Sequence, residues 1–303
     1  MNYSELLDIF KSSLFLTNQV FNFLHKTYEN LDDKNKLRHH ILYRMKSTST
    51  TIFHILTQNI DNQDFVDFSS AAILTRSIIE SYKTFYYLTS EAGIDESEFK
   101  FRYLIFESYD IFERQDMIRG LKAGQIEPMI DFQELDEQLD KLKISIKNNN
   151  FYKQIKIINE QNKRYEDIKD KNLFSCNFKS SVAKINGCFI KHKDVLLKRF
   201  IEINPGCEQD KEKINKRYDF LYKYLSNFVH ISPYSISQPS NSISIDDFKK
   251  VILPIIFYLN IANEDILAAF PELEEEIQVE SNYPDIFKGL EEFIQFLRCD
   301  IIN

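Results

Sequence analysis

Val251-Ile252-Leu253-Pro254-Ile255-Ile256-Phe257-Tyr258-Leu259-Asn260-Ile261-Ala262-Asn263 is the longest apolar and uncharged run of the chain. A bilayer-spanning helix needs about 20 such residues, and this run is shorter and holds a proline. It reads as a buried helix, and the rest of the fold is read around it. Ser244 or Asp246 supplies a start for that helix, which is predicted to run to about Phe270, where Pro271 stops it. Glu272 to Glu276 is acidic, and a last helix is predicted from about Asp285 to Ile301.

Upstream, the apolar spacing stays helical. Ser4 is placed to cap a first helix to about Tyr28, with Leu7, Phe10, Leu14, Phe21 and Leu24 on one side. Asp32-Asp33 opens a second, to about Gln58. A third covers about Asp64 to Leu88, through Phe65, Phe68, Ala72, Ile79 and Tyr82. After Ala92-Gly93 a fourth begins at about Asp95 and ends near Gly120 or Gly124. Phe132 to Lys171 reads as a helical pair interrupted at Asn148-Asn149-Asn150, or as one exposed hairpin. In 172–207, Asn186-Gly187 and Pro205-Gly206 mark turns, and a short hairpin stays open there. Helical spacing returns from about Gln209 to His230. The uncharged, hydroxyl-rich Ser232 to Ser242, with Pro233 and Pro239, is expected to be an ordered or lid-like loop.

Composition supports an all-α chain, a multi-helix bundle of long antiparallel helices. Only 6 of the 303 residues are glycine. Hairpin turns and phosphate-cradling loops both draw on glycine, so sheet-rich and nucleotide-binding folds are disfavoured. The helices group as an N-terminal half (1–130), a basic, partly irregular insertion (131–207) and C-terminal helices (208–303), completing one compact domain. No basic leader precedes Asp8 and Lys11, so a cytoplasmic protein without a membrane span is expected. Cys176, Cys188, Cys207 and Cys299 have no zinc or redox spacing and read as free thiols.

The net charge of −8 is uneven. Residues 141–217 hold 19 Lys and Arg against 9 Asp and Glu, a balance of +10, which leaves −18 for the remainder. A segment this basic is a candidate RNA-binding face; the plainer reading is a solvated surface.

Two stretches carry the candidate site. In Leu74-Thr75-Arg76-Ser77-Ile78-Ile79-Glu80-Ser81-Tyr82, Arg76 and Glu80 are one helical turn apart among apolar neighbours. A charge in that setting must be paired, either as a structural bridge or as an anion-facing Arg oriented by Glu80. In Tyr222-Lys223-Tyr224-Leu225-Ser226-Asn227-Phe228-Val229-His230-Ile231-Ser232, Tyr222, Ser226 and His230 recur every fourth residue. That polar face ends at a histidine favoured as a cation by the helix C-terminus, next to Ser232 and the hydroxyl-rich loop. The plainer reading is a capping histidine behind a Tyr/Ser packing stripe.

Arg76, Glu80, Tyr222, Leu225, Ser226, His230 and Ser232 together resemble an uncharacterised bacterial all-helical family often compared with HEPN domains. The resemblance spans roughly residues 40 to 270. It implies a HEPN-like helical core, a dimer or a partner protein, and a setting in prokaryotic defence or regulation. HEPN ribonucleases place a histidine a few residues after an arginine on one helix. No arginine here has a histidine five to seven residues on. An Arg76–His230 pair from two helices would substitute, with Arg76 stabilising phosphate charge and His230 acting as general acid or base. The leading expectation is a helical module binding a partner protein or RNA. The alternatives are that ribonuclease, and a small-molecule sensor with a pocket at Arg76, Tyr222, Ser226 and His230.

No cofactor or metal site is expected. Glu-x-x-His pairs, Walker loops and Gly-x-Ser-x-Gly elbows are missing, and His192 with Asp194 lacks further ligands. His39-His40 reads as surface, and His54 as a core histidine.

Overall fold

The computed structural model describes residues 1–57, 67–91, 93–124, 131–157, 178–180, 182–183, 199–229, 244–278 and 291–296. Its main helices are α1 (Tyr3–Lys26), α2 (Asp33–Thr57), α3 (Phe68–Phe85), α4 (Glu96–Ala123), α5 (Phe132–Asn148), α6 (Asn150–Ile157), α7 (Lys211–Val229), α8 (Ile245–Leu267) and α9 (Pro271–Gln278). Short 3-10 turns lie at Tyr28–Asn30 and Pro205–Asp210, and a π-helical turn at Tyr86–Ser90 follows α3. No strand occurs among the described residues, and the chain is an all-α bundle protein. The hairpin left open for 172–207 falls largely outside the described residues. None of the described helices is long and apolar enough to cross a membrane.

The caps are legible, with two corrections. Asn2, not Ser4, caps α1: its side chain accepts from the Glu5 N–H at 3.0 Å while the Glu5 carboxylate accepts from the Asn2 N–H at 3.0 Å. This reciprocal pair satisfies two orphan donors at once, which Ser4 could not do. Pro271 does not terminate the preceding helix. That helix, α8, ends at Leu267, and Pro271 is the first residue of α9, where a missing N–H costs nothing. The acidic Glu272–Glu276 stretch is therefore helical. Ser244 caps α8 as its sequence position implies, accepting from the Asp247 N–H at 3.1 Å.

Met1–Tyr86 with His192–Asn303 form one unit, and Tyr87–Lys191 form another. In the first, α8 lies at the centre, buried continuously from Val251 to Asn263. Helices α1, α2 and α3 pack around it, and α7 packs on α3. A helix apolar all round is stable only when enclosed in this way. The two asparagines of the run face α1: Asn260 donates to Ser13 Oγ at 3.1 Å and Asn263 to Thr17 Oγ1 at 2.9 Å. Both are essentially unexposed, so these bonds set the register of α1 against α8. Thr75 of α3 donates to the Ala71 carbonyl of its own helix at 2.8 Å, with its hydroxyl 3.4 Å from the Val251 carbonyl of α8.

In the second unit α4 and α5 run antiparallel, tied by Gln115 to Asp136 at 2.8 Å and, at the other end, by Asn149 to the Ser97 carbonyl at 3.0 Å. The Asn148-Asn150 interruption is the break between α5 and α6. Arg102, 2% exposed, is held by Glu91 at 2.6 Å, Glu98 at 2.5 Å and the Tyr87 carbonyl at 2.7 Å.

Candidate functional site

Arg76 and Glu80 stand one turn apart on α3, but they are not joined directly. Tyr222 of α7 comes between them. Its hydroxyl accepts from Arg76 Nε at 3.2 Å and Nη2 at 3.0 Å, and donates to Glu80 Oε1 at 2.5 Å. The guanidinium also lies over the Tyr222 ring, 4.9 Å from its centroid, a cation–π arrangement. Two helices far apart in sequence are thus clamped by one phenol.

Glu80 has a second partner that the sequence reading missed. Lys83, 1% exposed, places Nζ 3.2 Å from Glu80 Oε2. Burial pushes the Lys83 ammonium down to about 8, with Glu80 pulling the other way. Lys83 lies three residues after Glu80 and seven after Arg76, so helical spacing alone would have put it on this face. Tyr222 is raised above its ordinary value, by burial first and then by Glu80, so its hydroxyl keeps its proton and acts as a donor.

At neutral pH the cluster therefore holds two cations against one carboxylate. Arg76 has no carboxylate partner among the described residues; its hydrogen bonds both go to a neutral oxygen. A guanidinium held this way keeps N–H donors for the oxygens of a carboxylate or phosphate.

Ser226 shares the α7 face with Tyr222 but turns inward, donating to the Tyr222 carbonyl at 2.7 Å. Its hydroxyl is spent on its own helix. His230 and Ser232 lie outside the described residues. The structure thus brings together Arg76, Glu80 and Tyr222, adds Lys83, and leaves Ser226 as a helix-bound hydroxyl.

A family model fits this region of the chain: that of the family of unknown function DUF5677 matches residues 36–249, more than half of the sequence. The chain belongs to that family. Arg76, Glu80, Lys83 and Tyr222 all fall inside the DUF5677 match. Neither a curated protein nor a solved structure matches the chain.

A second polar cluster lies in the same unit. Asp265 of α8 pairs with Arg199 and accepts from the Tyr82 hydroxyl at 3.2 Å, while Tyr86 donates to Glu202 at 3.1 Å. Burial lifts Asp265 to about 6, against the pull of Arg199. Burial also works against the Arg199 cation, but Asp265 and Tyr82 outweigh it and its pKa is raised. The Asp265 carboxylate is almost wholly buried, so this cluster ties α3, α8 and residue 199 together rather than facing a ligand.

Of His39, His40 and His54, His40 is exposed as expected and the other two differ from their sequence readings. His39, expected at the surface, is 8% exposed because it packs between aromatic rings of α1 and the following turn. His54, expected in the core, is exposed: the apolar positions beside it, Ile52 and Leu56, take the buried side of α2. Among the described residues no group of three or more His, Cys, Asp or Glu is arranged to hold a metal.

Proposed function

We propose that this DUF5677 chain is a helical binding module of a prokaryotic regulatory or defence system, and that it contacts RNA by seating a backbone phosphate on Arg76. One observation carries the reading: Arg76 is pre-oriented by Tyr222 yet carries no ionic partner among the described residues. Phosphate oxygens match the guanidinium fork, and such contacts position a protein on nucleic acid without reading sequence. Lys83 adds a second cation behind Glu80. The basic balance of residues 141–217 supplies the wider electrostatic attraction. The HEPN-like resemblance, and the dimer it implies, belong to the same proposal.

The test is fluorescence anisotropy of labelled single-stranded RNA across a salt series. Arg76→Ala is expected to weaken binding about tenfold and to lower the salt slope by about one phosphate's worth. Charge reversal of lysines in 141–217 is expected to lower the slope further. Wild-type affinity in both variants, or no RNA retention at low salt, overturns the reading. In the latter case, a co-purifying protein released by Arg76→Ala would move the site to a protein partner. RNA cleavage lost in both Arg76→Ala and His230→Ala would make the module the two-helix ribonuclease.

A further inference from the structure

Where α1 ends and α2 begins, three imidazoles and two other rings form one cluster. His39 of α2 lies 4.8 Å from Phe21 and 5.5 Å from His25 of α1, 4.9 Å from Tyr28 of the connecting turn, and 5.4 Å from His40, centroid to centroid. The Phe21 and His25 rings lie nearly parallel to it. Tyr28 and His40 are hydrogen-bonded, hydroxyl to Nε2, at 2.8 Å.

His39 is 8% exposed, and neither of its ring nitrogens has a hydrogen-bond partner among the described residues. A neutral imidazole buried this way leaves one donor and one acceptor unmet. A protonated one would leave two donors and a charge, a far larger cost. The charged and titratable groups acting on His39 are His40 beside it on α2, His25 on α1 and Lys46 further along α2. Lys46 also sits over the Phe21 ring at 4.0 Å, and Lys36 over Tyr28 at 5.6 Å. The Tyr28 ring packs on His39, and the Tyr43 ring on Phe21. Every charge this set can acquire near neutral pH is positive. A proton on His39 would put a positive charge into a buried ring that already faces Lys46, with the His25 ring centroid 5.5 Å away.

We propose that this end of the α1–α2 pair is a pH-sensitive latch, closed while the buried His39 imidazole is neutral and opened as it takes up a proton. Burial first, then His40, His25 and Lys46, hold His39 below its ordinary value. A base depressed in the fold binds its proton more readily in the open chain. The latch is therefore fully closed above the ordinary histidine range near 6.5 and loosens as pH falls through that range. The opening frees the last turn of α1, the Tyr28–Asn30 turn and the start of α2, local unfolding at one helix junction.

The experiment follows the histidine ring nitrogens by NMR and the melting temperature of the full chain from pH 8 to pH 5. His39→Phe keeps the ring cluster and removes the titrating group at its centre. In the wild-type chain, His39 is expected to protonate below the ordinary histidine range, with line broadening of its neighbours and a fall in Tm of several degrees. In His39→Phe the Tm at pH 8 is expected to be unchanged or higher, and most of the acid-dependent fall to vanish. His40→Gln is expected to soften the fall without removing it. A wild-type His39 that titrates like a free histidine, or an equal acid-dependent fall in His39→Phe, overturns the latch. Should His39→Phe prove unstable at pH 8, the wild-type NMR titration still decides.

Discussion

Tyr222→Phe is the most direct test of the clamp between α3 and α7. The substitution keeps the ring, and with it the contact to the Arg76 guanidinium at 4.9 Å. It removes one oxygen that accepts from Arg76 at 3.0 and 3.2 Å and donates to Glu80 at 2.5 Å. Fully buried bonds to charged groups contribute about 1.5–3 kcal/mol each. Here the Glu80 side chain is 37% exposed, so water replaces part of what is lost. A net cost of about 1–2 kcal/mol follows, well below the 3–5 kcal/mol of a stranded buried charge. In a unit of about 200 residues that corresponds to a Tm drop of roughly 3–6 °C. Urea unfolding is expected to show a lower midpoint and an unchanged slope. Glu80→Gln, alone and combined with Tyr222→Phe, completes a double-mutant cycle with a coupling of about 1 kcal/mol. A Tyr222→Phe change under about 0.3 kcal/mol, strictly additive with Glu80→Gln, would refute the clamp.

Three further outcomes are expected. Arg102→Met takes the guanidinium away from Glu91 and Glu98, which are 4% and 15% exposed, and is expected to cost about 3 kcal/mol by urea unfolding; a loss under 1 kcal/mol would contradict the buried network. Thr17→Val leaves the buried Asn263 amide without its acceptor and is expected to cost about 1–3 kcal/mol. Asn263→Leu removes the polar group itself and is expected to stay within about 1.5 kcal/mol of wild type; the reverse order of the two would show that the bond does not set the α1–α8 register. Lys83 sheds its proton at about 8 in the fold against 10.5 ordinarily. Between these values the unfolded chain binds the extra proton, so stability rises with pH across that window, by on the order of 3 kcal/mol in full. Lys83→Met, measured beside wild type from pH 7.5 to 9.5 so that tyrosine ionisation cancels, is expected to lack that rise.

Much of this molecule follows from periodicity and composition. Scarce glycine, helical spacing and the Val251–Asn263 run lead to an all-α bundle with one enclosed helix, and the structure has both. Asp67, Asp95, Asp131 and Ser244 cap helices because a short side-chain oxygen can reach a free N–H two or three residues on, a purely local matter. The misreadings have local causes as well. Asn2 outcompetes Ser4 as a cap because Glu5 can answer it, and Pro271 fits the first position of a helix as readily as the space after one.

The candidate site was half legible. Arg76 and Glu80 lie on one face by spacing, and Tyr222 was singled out as polar on its own helix. That the phenol stands between the two charges, that Ser226 bonds back to its own turn and that Lys83 is sealed behind Glu80 depend on how α7 lies on α3. The same holds for His39, whose burial comes from rings on α1 and the connecting turn. Helices and caps are decided within a few residues, by backbone bonds that the neighbouring side chains permit. Which polar groups meet is decided between helices, where a rotation of one helix by a single residue, about 100°, exchanges one set of partners for another.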